Sequence, residues 1–262
     1  MSIEGIKIEK SNGLLVVFIE NFSNDLKELI RKQLSGIFNG YAEVNELPHF
    51  YSYKYTLASF LDRYNSKSED IKKGMIGELL AHILINSLSE KLRCLSILKN
   101  KEERSIKKGF DIVYYHKKSN EIWYTEVKSG RSTDVSSDDY NLILLNRAKS
   151  GISTIFESKR VSLWESAIID VKLVVEDKTE VIKMKKLLEK HAPLSGNTDQ
   201  NAKKNAILVS VLYHSLNDKL TLPKIIDYYT ALKQENLFKN SVIFSIQKEA
   251  FEKVELFLQS ET

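Results

Sequence analysis

Hydrophobic and polar positions alternate near the start of the chain, and the pattern then changes to helical spacing. The runs IKIEK and LLVVFIE flank a turn that contains Asn12 and Gly13, and Asn-Gly tolerates the positive φ angles of a tight turn. This pattern predicts a β-hairpin, with a helix to follow over about 24–38. From Ile71 to about Leu92 the apolar residues recur every three or four positions, which predicts a long amphipathic helix.

Two short runs after this helix are rich in β-branched and aromatic residues. FDIVYY covers residues 110–115 and EIWYTEVK covers residues 121–128, and this composition favours strands. The polar segment HKKSNE joins them, so we expect a second hairpin.

The rest of the chain alternates between amphipathic segments and apolar runs. We expect helices near 138–150, 155–165, 179–190, 222–235 and 248–258, and strands near 168–175, 206–213 and 242–246. Strands that alternate with helices favour an α/β layer with a mixed or parallel sheet.

Composition and charge limit the classes of protein to consider. The 262 residues are 42% hydrophobic and 28% charged, which is typical of a globular protein. The longest apolar run, Leu14 to Ile19, is far shorter than the roughly 20 residues that cross a membrane. The only cysteine, Cys94, excludes an internal disulfide. We therefore expect a cytoplasmic protein with no membrane partner.

The net charge of +4 is unevenly distributed. Residues 71–160 contain 17 basic and 11 acidic side chains, so the positive excess lies in the middle of the chain. A basic segment of this kind permits nucleic-acid binding but is also explained by a solvated basic surface.

Acidic and basic side chains meet near the end of the second predicted hairpin. Side chains alternate along a strand, so Glu126 and Lys128 share one face. A hairpin that is symmetric about the point between Lys118 and Ser119 places Asp111 opposite Glu126. Opposed residues have Cβ atoms about 4.5–5.5 Å apart, and two carboxylates at that distance repel unless a cation lies between them. Hard oxygen ligands of this kind suit Mg²⁺.

The long predicted helix offers a third carboxylate, Glu78, within the run KGMIGELLAHIL. Gly74 and Gly77 each cost up to about 1 kcal/mol in a helix interior, which is explained if the helix approaches another backbone closely. The alternative for Glu78 is a solvated surface glutamate, and the alternative for Glu126 and Lys128 is an ion pair on an edge strand.

The order of these features resembles the PD-(D/E)XK nuclease superfamily. The matching parts are a helix with Glu78, then GFD with Asp111, then the E-V-K triplet of Glu126 and Lys128. The resemblance implies a restriction-endonuclease-like α/β core, a mixed sheet flanked by helices. It also implies that Asp111, Glu126 and Glu78 bind Mg²⁺ or Mn²⁺, and that Lys128 orients the attacking water and stabilises charge on the phosphate. Phe110 stands where that superfamily has proline.

A narrower resemblance covers the chain from about residue 70 onward. The order of the GELL helix, the KGFD and EVK strands, the strand ILVSVLY and the final VIFSIQKEAFEKVELFL unit is similar to HamA, the family of nuclease subunits of Hachiman anti-phage defence systems. It implies a DNA endonuclease that works as the effector of a complex with a helicase, HamB. On this basis we divide the chain into an N-terminal extension, a hairpin plus a helix over 1–70, and a nuclease domain over 71–262.

Two other functions fit the same residues. One is a stand-alone restriction or repair endonuclease with its own specificity, and the other is a catalytically idle nuclease-like module that docks DNA or a helicase. Lys107, Lys108, Lys117 and Lys118 flank the predicted site and are candidates to hold a DNA backbone. The sequence has no Gly-rich phosphate loop that ends in Lys-Ser/Thr, so ATP-driven unwinding by that route requires another polypeptide.

Overall fold

The computed structural model describes residues 3–99, 109–194, 202–249 and 251–262. The strands in these residues are β1 (Ile6–Ser11), β2 (Leu14–Ile19), β3 (Leu92–Cys94), β4 (Ile112–His116), β5 (Glu121–Arg131), β6 (Asn205–Tyr213) and β7 (Ser241–Lys248). The helices are α1 (Asn24–Asn39), α2 (Tyr41–Glu46), α3 (Tyr53–Asn65), α4 (Glu69–Leu88), α5 (Ser137–Glu157), α6 (Ser162–Val174), α7 (Lys178–His191), α8 (Leu222–Glu235) and α9 (Glu252–Ser260).

All of these strands belong to one sheet with the order β1-β2-β7-β6-β5-β4-β3. The four middle strands, β2, β7, β6 and β5, run parallel to one another. Antiparallel strands extend both edges, β1 beside β2 and β4 with β3 beside β5. Every residue of the central strand β6 is buried. The prediction of an α/β protein with a mixed sheet is therefore confirmed.

Hydrophobic residues form a separate core layer on each face of the sheet. Residues of α1, α3, α4 and α9 fill the first layer, and residues of α5, α6, α7 and α8 fill the second. Side chains of β5 alternate between the layers, with Val127 in the first and Tyr124 in the second. Glu126 and Lys128 continue the alternation of Tyr124, so they project on the α5 side of the sheet.

Residues 3–70 share the sheet and the first core layer with the rest of the chain. β2 pairs with β7, and buried residues of α1 and α3 pack in the same layer as those of α4. The division at residue 70 thus separates segments that share one core, and its role as a domain boundary stays a prediction.

Several elements have the bounds that the sequence predicts. The first hairpin forms as expected, with Gly13 at a φ of +78° in its turn. α1 spans the helix predicted over 24–38, and α8 spans 222–235. β6 covers the strand predicted over 206–213.

The prediction for the segment after β5 was wrong in two respects. The helix predicted over 138–150 continues to Glu157 as α5, and the helix predicted over 155–165 is interrupted at 158–161, between α5 and α6. Most of the strand predicted over 168–175 lies in α6. The β-branched residues of IIDVKLVV suggest a strand, but burial in α6 follows helical spacing. The buried residues of α6 are Leu163, Trp164, Ala167, Asp170, Val171 and Val174.

Two residues that were predicted to lie in helices lie in strands instead. Leu92 pairs with His116 in β3, so α4 ends before it. Lys248 pairs with Tyr213 at the end of β7, and α9 begins after it. Both corrections come from contacts with strands distant in the chain. Within the described ranges, no helix is long and apolar enough to span a membrane.

Candidate functional site

The hairpin of β4 and β5 brings two carboxylates together. Ile112 pairs with Thr125, so Asp111, the residue before β4, lies opposite Glu126 as the sequence predicts. The Oδ2 atom of Asp111 accepts a hydrogen bond from the backbone N–H of Val127 at 2.7 Å. This bond holds the Asp111 carboxylate against β5, one residue from Glu126.

The Glu126 carboxylate is packed between β5 and α5. The residue is only 6% exposed, and its Oε1 accepts a hydrogen bond from the Nζ of Lys128 at 2.5 Å. On the other side, a Cβ added to Gly151 of α5 would lie 2.6 Å from the same Oε1. Glycine at 151 therefore lets α5 pack on this carboxylate without displacing it.

Burial and charge set the ionisation of this group. Burial and the charge of the neighbouring Asp111 together raise the pKa of Glu126 to about 7, against the opposing effect of Lys128. Burial lowers the pKa of Lys128, but the negative charges of Glu126, Asp111 and Glu78 outweigh burial and leave that pKa raised. Lys128 therefore stays charged at neutral pH. The ionised form of Glu126 is destabilised by its surroundings, and a nearby cation would stabilise it.

Helix α4 approaches β5 closely at one of its two glycines. A Cβ added to Gly77 would lie 2.7 Å from the Cβ of Ser129 in β5. The Ser129 hydroxyl donates a hydrogen bond to the carbonyl of Lys73 at 3.1 Å. The expected close approach is thus confirmed for Gly77 and wrong for Gly74, where nothing lies within 4 Å of an added Cβ. The next residue, Glu78, is close enough for its charge to contribute to the raised pKa of Lys128.

The donors present fit a magnesium or manganese ion held by two carboxylates. Across the part of the chain that the structure describes, no three His, Cys, Asp or Glu side chains are grouped to hold a metal ion. Mg²⁺ needs only one or two protein carboxylates, because waters and substrate phosphate oxygens complete its shell. Asp111 and Glu126 meet this requirement, and Glu78 as a third ligand stays a prediction.

The lysines expected to flank the site are placed differently. Lys117 and Lys118 lie in the exposed turn between β4 and β5, about 20 Å along the strand from Asp111. They do not flank the carboxylates. Lys107 and Lys108 lie outside the described residues.

The sequence did not predict that α5 packs against the Glu126 carboxylate. No short motif marks Gly151, because its partner Glu126 is distant in the chain and on another element. The available signal was a glycine in the interior of a helical segment, which often indicates close packing.

Comparison with known protein families gives a match. No curated protein matches the chain. The family model of HamA matches residues 3–258, nearly the whole chain. The match includes α4, the β4–β5 hairpin and the parallel strands, and it also covers the first 70 residues, which carried little of the resemblance in the sequence. The chain belongs to the HamA family.

Proposed function

We propose that this chain is a divalent-metal-dependent DNA endonuclease with a PD-(D/E)XK core. In this proposal it is the effector subunit of a Hachiman anti-phage complex that also contains a helicase. The observation that carries the proposal is the pair of carboxylates, Asp111 and Glu126, side by side with Lys128 bonded to one of them. Membership of the HamA family suggests the defence context.

Each of the three residues has a role in hydrolysis of a phosphodiester. Asp111 and Glu126 would hold Mg²⁺ or Mn²⁺. Such an ion, when bound, generates a nucleophile from water at neutral pH and stabilises charge on the phosphate. Lys128 retains its proton because its pKa is raised, and its side chain is 36% exposed, so its ammonium is accessible to a phosphate oxygen or to the attacking water.

Purified chain and plasmid or linear DNA test the metal-dependent activity. We expect cleavage with Mg²⁺ or Mn²⁺, none in chelator, and binding without cleavage in Ca²⁺. Asp111→Asn and Glu126→Gln should each lower the rate by at least about 100-fold, since each removes charge from the transition-state site. Asp62 is an exposed carboxylate of α3, so Asp62→Asn is the matched control and should cleave DNA at the wild-type rate. Cleavage that persists in chelator, or in either variant, contradicts the proposal.

The helicase partner supplies what this chain lacks. The sequence has no Gly-rich phosphate loop, and nonspecific affinity for DNA grows with the number of phosphates that basic residues neutralise. An excess of only six positive charges in residues 71–160 gives modest means of holding DNA, so loading and restraint by a second chain are expected.

Expression in cells tests this arrangement. The wild-type chain alone should harm its host, the Glu126→Ala/Lys128→Ala double variant should not, and co-expression of the helicase captured from native lysate should suppress the harm. A chain that is recovered without a helicase and protects against phage unaided indicates a stand-alone endonuclease. Protection that survives Asp111→Asn indicates a catalytically idle module.

A further inference from the structure

A basic cleft lies away from the carboxylates, where the end of α7 meets the starts of β5 and β6. Its volume is about 670 Å³, within the range of about 300–1,000 Å³ that is typical of ligand pockets. An adjoining hollow of about 530 Å³ shares residues 202–204 and Phe238 with it. The described lining of the two contains five lysines, Lys159, Lys190, Lys203, Lys204 and Lys239.

The positive charge of this cleft is large for the chain. Two glutamates, Glu121 and Glu157, also line it. Among the lining residues that the structure describes, five lysines and two glutamates leave an excess of three positive charges, in a chain whose net charge is +4. Glu121 is bonded to Lys239 at 2.7 Å, so that pair is neutral. A concave surface of one sign concentrates ligands of the opposite sign.

Lys204 is a fixed cation in the wall of the cleft. The residue is 4% exposed, and burial lowers its pKa. Its Nζ donates to the carbonyl of Ala202 at 3.3 Å and lies 5.6 Å and 5.9 Å from the ring centroids of Phe156 and Trp164. Aromatic faces attract a cation and hold it in place. An anion that binds here therefore does not have to order a freely moving lysine.

Apolar and amide groups line the remainder of the cleft. Phe238 is 8% exposed, and the ring of His191 is positioned by a hydrogen bond of 2.9 Å between its Nδ1 and the hydroxyl of Tyr124. Asn205 is fixed at the floor, where its Nδ2 donates to the carbonyl of Ile122 at 3.1 Å. A lining that combines lysines with aromatic rings suits a ligand that carries both a phosphate and a flat ring.

We propose that this cleft binds a mononucleotide, with its phosphate against Lys190, Lys203 and Lys204 and its base against Phe238 and His191. The cleft is separate from the metal-binding carboxylates. Its nearest β5 residues come at the start of the strand, about 13 Å along the chain direction from the carboxylate pair. The inference does not depend on the proposed nuclease activity, because it concerns binding alone.

Calorimetric titration of the full chain with AMP and ADP, in chelator, tests the proposal. Adenosine is the probe without phosphate and should bind at least about tenfold more weakly, since charge-assisted hydrogen bonds to the phosphate are absent. A 5′-phosphorylated oligonucleotide distinguishes a free nucleotide from the end of a strand. The cleft should prefer the free nucleotide.

Variants locate the binding. Lys190→Ser/Lys203→Ser should weaken AMP and ADP binding at least about tenfold, and Lys204→Met should do the same while retaining an apolar stem. Lys117→Ser/Lys118→Ser removes the same charge from exposed positions and should leave binding unchanged. Circular dichroism and Tm establish that each variant folds. Lys190 and Lys203 are exposed, so their double variant should fold and still tests the proposal if Lys204→Met does not fold.

Three results would overturn the proposal. The first is no binding of AMP or ADP at millimolar concentration, and the second is equal weakening by the control pair, which would indicate diffuse charge. The third is affinity only for oligonucleotides, rising with their length, which would make the cleft part of a nucleic-acid track.

Discussion

Replacement of Glu126 by glutamine tests whether the structure holds this carboxylate at an electrostatic cost. Burial, with a further contribution from Asp111, raises the pKa of Glu126 to about 7, against an ordinary value of 4.5. Between these two pH values the folded chain binds the proton more tightly than the unfolded chain does. The contribution of Glu126 to the stability of the wild type should therefore fall as pH rises from about 4.5 to about 7, and level off above that.

The size of the effect follows from the two pKa values. Their difference corresponds to about 3 kcal/mol at 1.36 kcal/mol for each pH unit, and the pKa of about 7 already includes the attraction of Lys128. Glutamine has the same shape and no charge to bury. The free energy of unfolding of Glu126→Gln, relative to wild type, should thus rise by about 3 kcal/mol between pH 4.5 and pH 8.

Urea unfolding in chelator, followed by tryptophan fluorescence at a series of pH values, measures this difference. The comparison of variant with wild type cancels the titration of every group that does not interact with Glu126. Glu46 is an exposed glutamate of α2, and Glu46→Gln is the matched control for the loss of a carboxylate away from the site. Added Mg²⁺ should stabilise the wild type above pH 7 and reduce the advantage of the variant, since a cation favours the ionised carboxylates.

A flat difference between Glu126→Gln and wild type across this pH range would refute the reasoning. It would mean that Glu126 is as well solvated in the folded chain as in the unfolded chain. A fall in the stability of the variant above pH 7 would show that the bond to Lys128 outweighs the burial of the charge.

The packing of the two helices against the site gives two further predictions. Gly77→Ala should destabilise the chain by about 1–3 kcal/mol, because the added Cβ meets Ser129. Gly74→Ala should instead stabilise the chain by about 0.5–1 kcal/mol, because the space beside Gly74 is open. Equal effects of the two variants in thermal unfolding would contradict the close approach of α4 to β5. Gly151→Ala should displace the Glu126 carboxylate, whose Oε1 lies 2.6 Å from the added Cβ. The variant should therefore lose much of the Mg²⁺-dependent cleavage while its Tm changes little. Cleavage at the wild-type rate would show that the carboxylate has room to move.

Local patterns were enough to predict the carboxylate pair. The turn between β4 and β5 is short, and alternation of side chains is a property of any strand, so the register follows from the residues of the hairpin alone. The observed pairing of Ile112 with Thr125 confirms that Asp111 faces Glu126. The first hairpin and α8 were predictable for the same reason, since their signals lie within a few residues of one another.

Contacts between distant parts of the chain decided what the local patterns did not. Leu92 lies in a strand only because β4 is present to pair with it, and three residues are too few to show a period. The apolar run over 168–175 lies largely in α6 because that helix packs its buried stripe on the second core layer.

The environment of the site also depends on tertiary structure. Residue types establish that Glu126 and Lys128 share a strand face, but the pKa of about 7 for Glu126 results from burial, and α5 packs on the carboxylate at Gly151. The cleft around Lys204 is assembled from α7, β5, β6 and the segment before β7, which no sequence window contains. The sequence by itself thus determined which charged groups meet in the hairpin, because that pairing is local. Only the tertiary structure decided how strongly those groups are desolvated and which distant surfaces enclose them, because burial is a property of the whole packed chain.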